Sequence, residues 1–448
     1  MGLGGELHTV NCRFQGVKMA LDMFVVEGGR PLRGTVAVKG AKNAVLPMLC
    51  ASLIPTEGEV VLRNVPNLAD IRTMIKLLEY MGAVVEFNAE EGLLRIDPTS
   101  IENKAAPYDL VRKMRASFMI MGALLARFGK ATVSHPGGCA IGARPVNWHV
   151  SNFQRMGASI SESHGYLEAD CGGKPKGTVL YFDRPSHTGT ENVMMAATLG
   201  DGTTTIINAA TDPEVVDFAK FLTAMGARIK GAGGPVITVE GVERLRGADH
   251  IPIGDRLEAG TYLYAGLIAG GDVKVTGIDP EHLSVVLLKM KEMGAEVESS
   301  PGRIRLKMDG RPKAVDYTTA VFPGFPTDLQ ASAMVALTIS EGTGFIRETI
   351  FENRFLHVME LMRLGANISI NGDRATVTGV PYLDGAEVMS SDIRAGAALV
   401  LAGLAARGTT EVLRIYHVDR GYDRMEEKLA DLGASVKRVD QFAWEKLG

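Results

Sequence analysis

The sequence predicts an α/β fold made of six repeats of a strand–helix–strand–helix–strand–strand (βαβαββ) unit, three to a domain, and three observations carry that prediction. An apolar residue followed by glycine, alanine and strand-like residues recurs at Gly82, Gly157, Gly226, Gly294, Gly365 and Gly433. The intervals are 75, 69, 68, 71 and 68 residues, so one supersecondary unit of about 70 residues is used six times. A second fixed glycine opens a strand in each copy, at Gly58, Gly129, Gly202, Gly271, Gly342 and Gly408. Before each of these lies an apolar segment of helical length, as in SFMIMGALLARF, AGTYLYAGLIAG and AGAALVLAGLAA.

Those first helices are apolar nearly all round, which suits burial inside a helical core. The second helix of each copy is amphipathic. In LADIRTMIKLLEYM, Ile71, Ile75, Leu78 and Tyr80/Met81 share one face, and the following glycine suits a C-terminal cap with positive φ. The segments AVVEFNA and GLLRIDP then flank a turn as a hairpin does.

The chain has 448 residues, 46% hydrophobic and 22% charged, with a net charge of -4: a globular mix for two domains, without the basic footprint of a nucleic-acid binder. A six-unit ring around duplex DNA needs Lys and Arg on the inward helices, and these helices are apolar. The longest apolar run, Ala395 to Ala406, has 12 residues, short of the roughly 18 that a membrane span requires. Residues 1–22 lack the apolar core of a signal peptide and are expected to be a disordered extension. Cysteines at 12, 50, 139 and 171 form no CxxC pair, which points to a reducing, cytoplasmic setting, with Cys50 and Cys171 as small buried hydrophobes. No histidine pair has HExxH-type spacing, so no metal and no cofactor are assigned.

Departures from the repeat locate chemistry. From strand-opening glycine to Gly-Ala glycine the copies span 24, 28, 24, 23, 23 and 25 residues, and the stretched second copy carries the loop SHPGGCAIGARPVNWHV. Cys139 sits there among glycines, with Arg144 five residues on; a guanidinium beside an exposed thiol lowers its pKa and suits it to proton transfer or nucleophilic attack. Charged residues also mark the helix starts: Lys42 with Asn43, Arg115, Asp255, Asp328, Asp392 with Arg394, and, before the second helices, Arg144, Arg354 and Arg420. Helix N-termini carry free N–H groups, so several pointed at one cleft with Lys42, Arg144, Arg394 and Arg420 would clamp a phosphate or carboxylate. Taken singly, the aspartates also read as N-caps and the arginines as salt-bridge partners.

The segments KGAKNAVLPML, APYDLVRKMRASF, PGGCAIGARPV, FPTDLQA, FENRF, SDIRA and YHVDRGY, in order from Met23 onward, resemble the UDP-N-acetylglucosamine 1-carboxyvinyltransferase family, enolpyruvyl transferases that open peptidoglycan synthesis. The sister family acting on shikimate 3-phosphate shares the six-unit architecture, but the PGGC and KGAKNA segments resemble the sugar-nucleotide branch. The resemblance implies two inside-out α/β domains, residues 43–253 and residues 23–42 with 254–448, hinged near Lys42 and residue 253. It implies two small-molecule substrates; the sequence leaves the oligomeric state open, with a monomer as the expectation. Lys42, Asn43, Arg144, Arg394 and Arg420 would hold phosphoenolpyruvate, supported by Asp255, Arg354 and Asp392. Asp328 would be the general base, and Cys139 the acid that fosfomycin alkylates. Asn43, Arg115, Arg144, Pro145, Val146, Asn147, Trp148, Arg184, Ser186, His187, Asp328 and Ile350 would contact the UDP-sugar. Three places depart from the family's pattern: Asn147 for Asp after RPV, PSHTGT (with His187 and Thr188) for PSVGAT, and Arg184 for Lys.

Overall fold

A computed structural model describes residues 22–102, 104–112, 114–135 and 146–441. Cys139, Arg144 and Pro145 lie outside the described residues, as does the expected extension except for Asp22, which already belongs to a strand, Asp22–Glu27.

Among the described residues the strands form five four-stranded sheets, one three-stranded sheet and one two-stranded pair. One sheet shows the shared pattern. Leu32–Ala37 runs parallel to Gly271–Thr276, which pairs antiparallel with Arg303–Met308, and the hairpin closes with Glu296–Ser300. Parallel neighbours need a long connection, and here some are supplied from far along the chain. The sheet of Val60–Leu62 takes its parallel edge from Asp249–His250. In the sheet of Thr409–Leu413 the place of a second hairpin strand is taken by Asp22–Glu27, antiparallel between Thr409–Leu413 and Ser435–Asp440.

Both recurrent glycine sets have left-handed backbones. The Gly-Ala glycines lie at φ between 90° and 108° and the strand-opening glycines between 66° and 128°. Side chains with a Cβ resist that region, which explains why the two marks persist in every copy.

Six helices lie inside: Lys42–Ala51, Ile120–Phe128, His187–Ala197, Arg256–Ala269, Gln330–Thr338 and Ile393–Ala405. In the last, every residue from Arg394 to Leu404 is buried. Close approach is built in with glycine: a Cβ on Gly122 would meet the Asn192 carbonyl oxygen at 2.2 Å, while its N–H donates to Asn192 Oδ1 at 2.9 Å. The second helices are one-sided. Ala69–Tyr80 buries Ile71, Met74, Ile75 and Leu78 and exposes Arg72, Lys76 and Glu79. Its apolar face continues into Met81 and not Tyr80, which is exposed, because Met81 turns inward at the cap.

The buried apolar side chains gather into two large cores. One runs from Ala41 to Leu245; the other joins Phe24, Val26, Leu32, Val36 and Val38 to residues from Leu257 to Val436. Each fully buried Leu, Ile or Met contributes about 1.5–3 kcal/mol, so each core is an independent source of stability. The chain crosses between the cores twice, side by side: Ala41 N–H donates to the Ile253 carbonyl at 2.7 Å and Asp255 N–H to the Lys39 carbonyl at 3.0 Å.

Candidate active site

The buried helices bring most of the marked residues to one region through their N-termini. Lys42 opens the Lys42–Ala51 helix, and Asp255 and Asp392 cap two helices of the other core. Asp255 does more than cap. Its Oδ1 accepts from Leu257 N–H at 2.9 Å and Glu258 N–H at 3.0 Å, and its Oδ2 accepts from Lys42 N–H at 3.1 Å. One carboxylate thus ties the starts of two helices from different cores.

Lys42 is 7% exposed, and its Nζ stands 2.6 Å from Asp70 Oδ2. Asp70 also accepts from Arg420, with Nε at 2.8 Å and Nη2 at 3.4 Å. Burial lowers the Lys42 pKa, Asp70 opposes, and the Arg420 and Arg394 charges lower it further. Burial pushes the Asp70 carboxyl up, but Lys42 and Arg420 outweigh it and hold the group below its ordinary value. Three cations therefore share one electrostatic neighbourhood with one fixed carboxylate inside it. Asp70 was invisible to motif reading, since it passes for an ordinary first-turn acid of an amphipathic helix. Its signal is that it is buried on that helix's apolar side.

A second group surrounds Asp328, in the short 3-10 turn Thr327–Leu329. Arg354 Nη2 donates to Asp328 Oδ1 at 2.6 Å, and Arg394 Nε lies 3.8 Å from the same oxygen. Arg354 is buried under Phe351, and Arg394 lies over the Tyr422 ring with its Nη1 buried and without a hydrogen-bond partner. A buried unpaired guanidinium donor in a charged cleft fits an anion. Sequence reasoning missed Glu348, which holds this turn. Its Oε2 accepts from Thr327 Oγ1 at 2.9 Å, and its Oε1 from Thr319 Oγ1 at 3.0 Å, Ile350 N–H at 2.8 Å and Phe351 N–H at 3.2 Å.

The expected sugar-nucleotide residues occupy helix starts of the first core. Arg115 opens a 3-10 turn, Asn147 and Trp148 open the Asn147–Arg155 helix with Val146 before them, and Ser186 caps the His187–Ala197 helix by accepting from Gly189 N–H at 3.1 Å. Arg184 and Asn147 are exposed; His187 is half-buried, as are Asn43, Thr188 and Ile350. Of the other cysteines, Cys50 is buried with its thiol pKa raised by burial, and Cys171 is half-buried with its pKa raised to about 11 by burial. Neither is prepared for nucleophilic work.

A family model described as EPSP synthase (3-phosphoshikimate 1-carboxyvinyltransferase) matches residues 26–429. UDP-N-acetylglucosamine 1-carboxyvinyltransferase from Anaeromyxobacter sp. (strain Fw109-5) is 54% identical over 420 residues, 93% of this chain and 99% of that protein. The protein of the same name from Magnetococcus marinus (strain ATCC BAA-1437 / JCM 17883 / MC-1) is 51% identical over 420 residues, 94% and 100% of the two chains. Among solved structures, the enolpyruvyl transferase NikO from Streptomyces tendae has a TM-score of 0.85 at 24% identity, covering 94% of this chain and 99% of that one; this likeness shows the fold. No described helix is long and apolar enough to cross a membrane. With a fold, an ordered set of motifs and near-full-length relatives in agreement, the chain belongs to the EPSP synthase family of enolpyruvyl transferases, on the branch of the UDP-N-acetylglucosamine 1-carboxyvinyltransferases.

Proposed function

We propose that the chain transfers enolpyruvate from phosphoenolpyruvate to the 3′-hydroxyl of UDP-N-acetylglucosamine, releasing phosphate. The observation that carries this reading is one chain of charges: Arg420 and Arg394 both act electrostatically on Lys42, and Arg394 also lies 3.8 Å from Asp328 Oδ1, the oxygen to which Arg354 donates. Such a site pairs an anion clamp with a fixed base.

In this reading Lys42, Asn43, Arg420 and Arg394 bind the phosphate and carboxylate of phosphoenolpyruvate, joined by Arg144 from the glycine-rich loop. Asp328 takes the proton from the sugar 3′-hydroxyl, and the oxygen forms a bond to C2 of phosphoenolpyruvate. Cys139 gives a proton to C3, so the double bond becomes a tetrahedral centre carrying both the sugar ether and the phosphate ester. Loss of a proton from C3 then restores the double bond as the C2–phosphate bond breaks. The ion pair from Arg354 holds the Asp328 carboxylate in place for that step. Arg115, Val146, Asn147, Trp148, Arg184, Ser186, His187 and the Ile350 backbone support the UDP-sugar. The two cores are read as the two domains, residues 43–253 and residues 23–42 with 254–448, closing about the paired crossings at Lys39–Lys42 and Ile253–Asp255. A monomer in the cytoplasm suits both substrates.

Phosphate release with each acceptor in turn tests the reading. Turnover with UDP-N-acetylglucosamine and none with shikimate 3-phosphate is expected; turnover with the shikimate compound alone overturns it.

A further inference from the structure

Two residues beyond Arg420, the YHVDRGY segment carries Tyr422, a side chain that the proposed transfer leaves without a task. Tyr422 is 2% exposed, and its phenol oxygen stands 2.9 Å from Thr261 Oγ1 on the Arg256–Ala269 helix. The direction of that hydrogen bond follows from the helix. Thr261 has one hydroxyl hydrogen and donates it to the Leu257 carbonyl at 2.8 Å, so Tyr422 is the donor to Thr261. The lone pairs of the phenol oxygen are left to accept from a cation.

That cation is Arg394, whose Cζ stands 5.3 Å from the Tyr422 ring centroid. Burial works against the guanidinium charge, and it is outweighed by Tyr422 first, then by Asp328 and Asp255. On its other side Arg394 Nε lies 3.8 Å from Asp328 Oδ1, while Nη1 is buried and without a partner. Gly421 makes room there: a Cβ on it would meet Ile393 Cγ2 at 2.5 Å and stand 3.8 Å from Arg394 Nη1. The unpartnered donor therefore lies against the Arg420–Tyr422 turn, and Arg394 and Arg420 both act electrostatically on Lys42. Without a second hold, Arg394 is free to close its gap to Asp328 and pair with it. Resting on the transfer reading above, we propose that Tyr422 is a positioning residue: with its hydrogen committed to Thr261, it holds Arg394 off Asp328 and presents Nη1 to an anionic group of phosphoenolpyruvate. One turn of chain then serves the anion twice, directly with Arg420 and through Arg394 with Tyr422.

The test is a double-mutant cycle of Tyr422→Phe and Arg394→Met in the full chain, read as accumulated phosphate with UDP-N-acetylglucosamine as acceptor. Tyr422→Phe keeps the ring and should lower kcat/KM for phosphoenolpyruvate roughly 10-fold, as when a hydrogen bond to a charged group is lost. Its KM for the sugar nucleotide should stay at the parent's value. In the Arg394→Met background the same substitution should change kcat/KM by about 2-fold or less, since no guanidinium is left to act through. Thr261→Val withdraws the anchor while leaving Tyr422 in place and should lower kcat/KM in the same direction, with Thr261→Ser restoring it. An unchanged value in both Tyr422→Phe and Thr261→Val, or an equal fall with and without Arg394, overturns the inference and leaves the transfer reading standing. A parent chain that releases no phosphate overturns both.

Discussion

The Asp70 carboxylate bridges Lys42 and Arg420, with one oxygen 2.6 Å from the ammonium and the other 2.8 Å from the guanidinium Nε. Asp70 and Lys42 are packed with the first core, whereas Arg420 ends the 3-10 turn Ile415–Arg420 of the second. The bridge therefore joins the halves at the place where the substrate's anionic groups are proposed to sit.

Asp70→Asn removes the charge and leaves two cations facing each other. Uncompensated buried charge costs about 3–5 kcal/mol when one partner of a pair is lost, less where one cation is partly exposed as Arg420 is. The variant should melt several degrees lower, and inorganic phosphate or phosphoenolpyruvate should restore more of its melting temperature than it adds to the parent. Equal ligand-induced shifts in both proteins would show that Asp70 does not occupy the anion's electrostatic place.

Glu348→Ala should unfasten the Asp328 turn from the Ile350 loop. Two backbone N–H groups and two hydroxyls lose an acceptor, a loss of about 1–3 kcal/mol for each donor left buried. Turnover should fall more than stability, with Glu348→Gln recovering part of both. A variant whose kcat matched the parent's would remove Glu348 from the positioning of the base.

Much of this organisation was legible in the chain, and the part that was not has a common cause. The Gly-Ala and strand-opening glycines announce themselves because positive φ constrains residue type locally. The buried helices announce themselves because they are apolar on every side. Asp70 and Glu348 are polar residues whose meaning depends on partners from other segments: Asp70 meets Arg420 350 positions away. The Asp22–Glu27 strand inside the last sheet has the same origin, since its pairing is long-range.

Glu258 gives the fold a pH signature. Burial raises its pKa to about 7 against the pull of Lys428 Nζ at 2.6 Å. Its folded pKa is above the ordinary glutamate value of about 4.3, so its contribution is complete below that pH and is lost as pH rises through about 7. The melting temperature of the parent should decline more steeply between pH 5 and 8 than that of Glu258→Gln. Parallel profiles would contradict this.

A pair of substitutions tests the role of Cys139. Cys139→Asp retains an acid and should keep turnover while losing sensitivity to fosfomycin. Cys139→Ala lacks the proton donor and should lose about 2–4 orders of magnitude in rate. Normal turnover by the alanine variant would exclude the acid role.

Enolpyruvyl transfer to a sugar nucleotide is read out by nuclear magnetic resonance of the product. With ¹³C-labelled phosphoenolpyruvate and UDP-N-acetylglucosamine, the parent should form a vinyl ether on the sugar 3′-oxygen with one phosphate released per ether, and Asp328→Asn should form it far more slowly. An unchanged sugar nucleotide under these conditions, with vinyl ether formed only when shikimate 3-phosphate is supplied, would contradict the account.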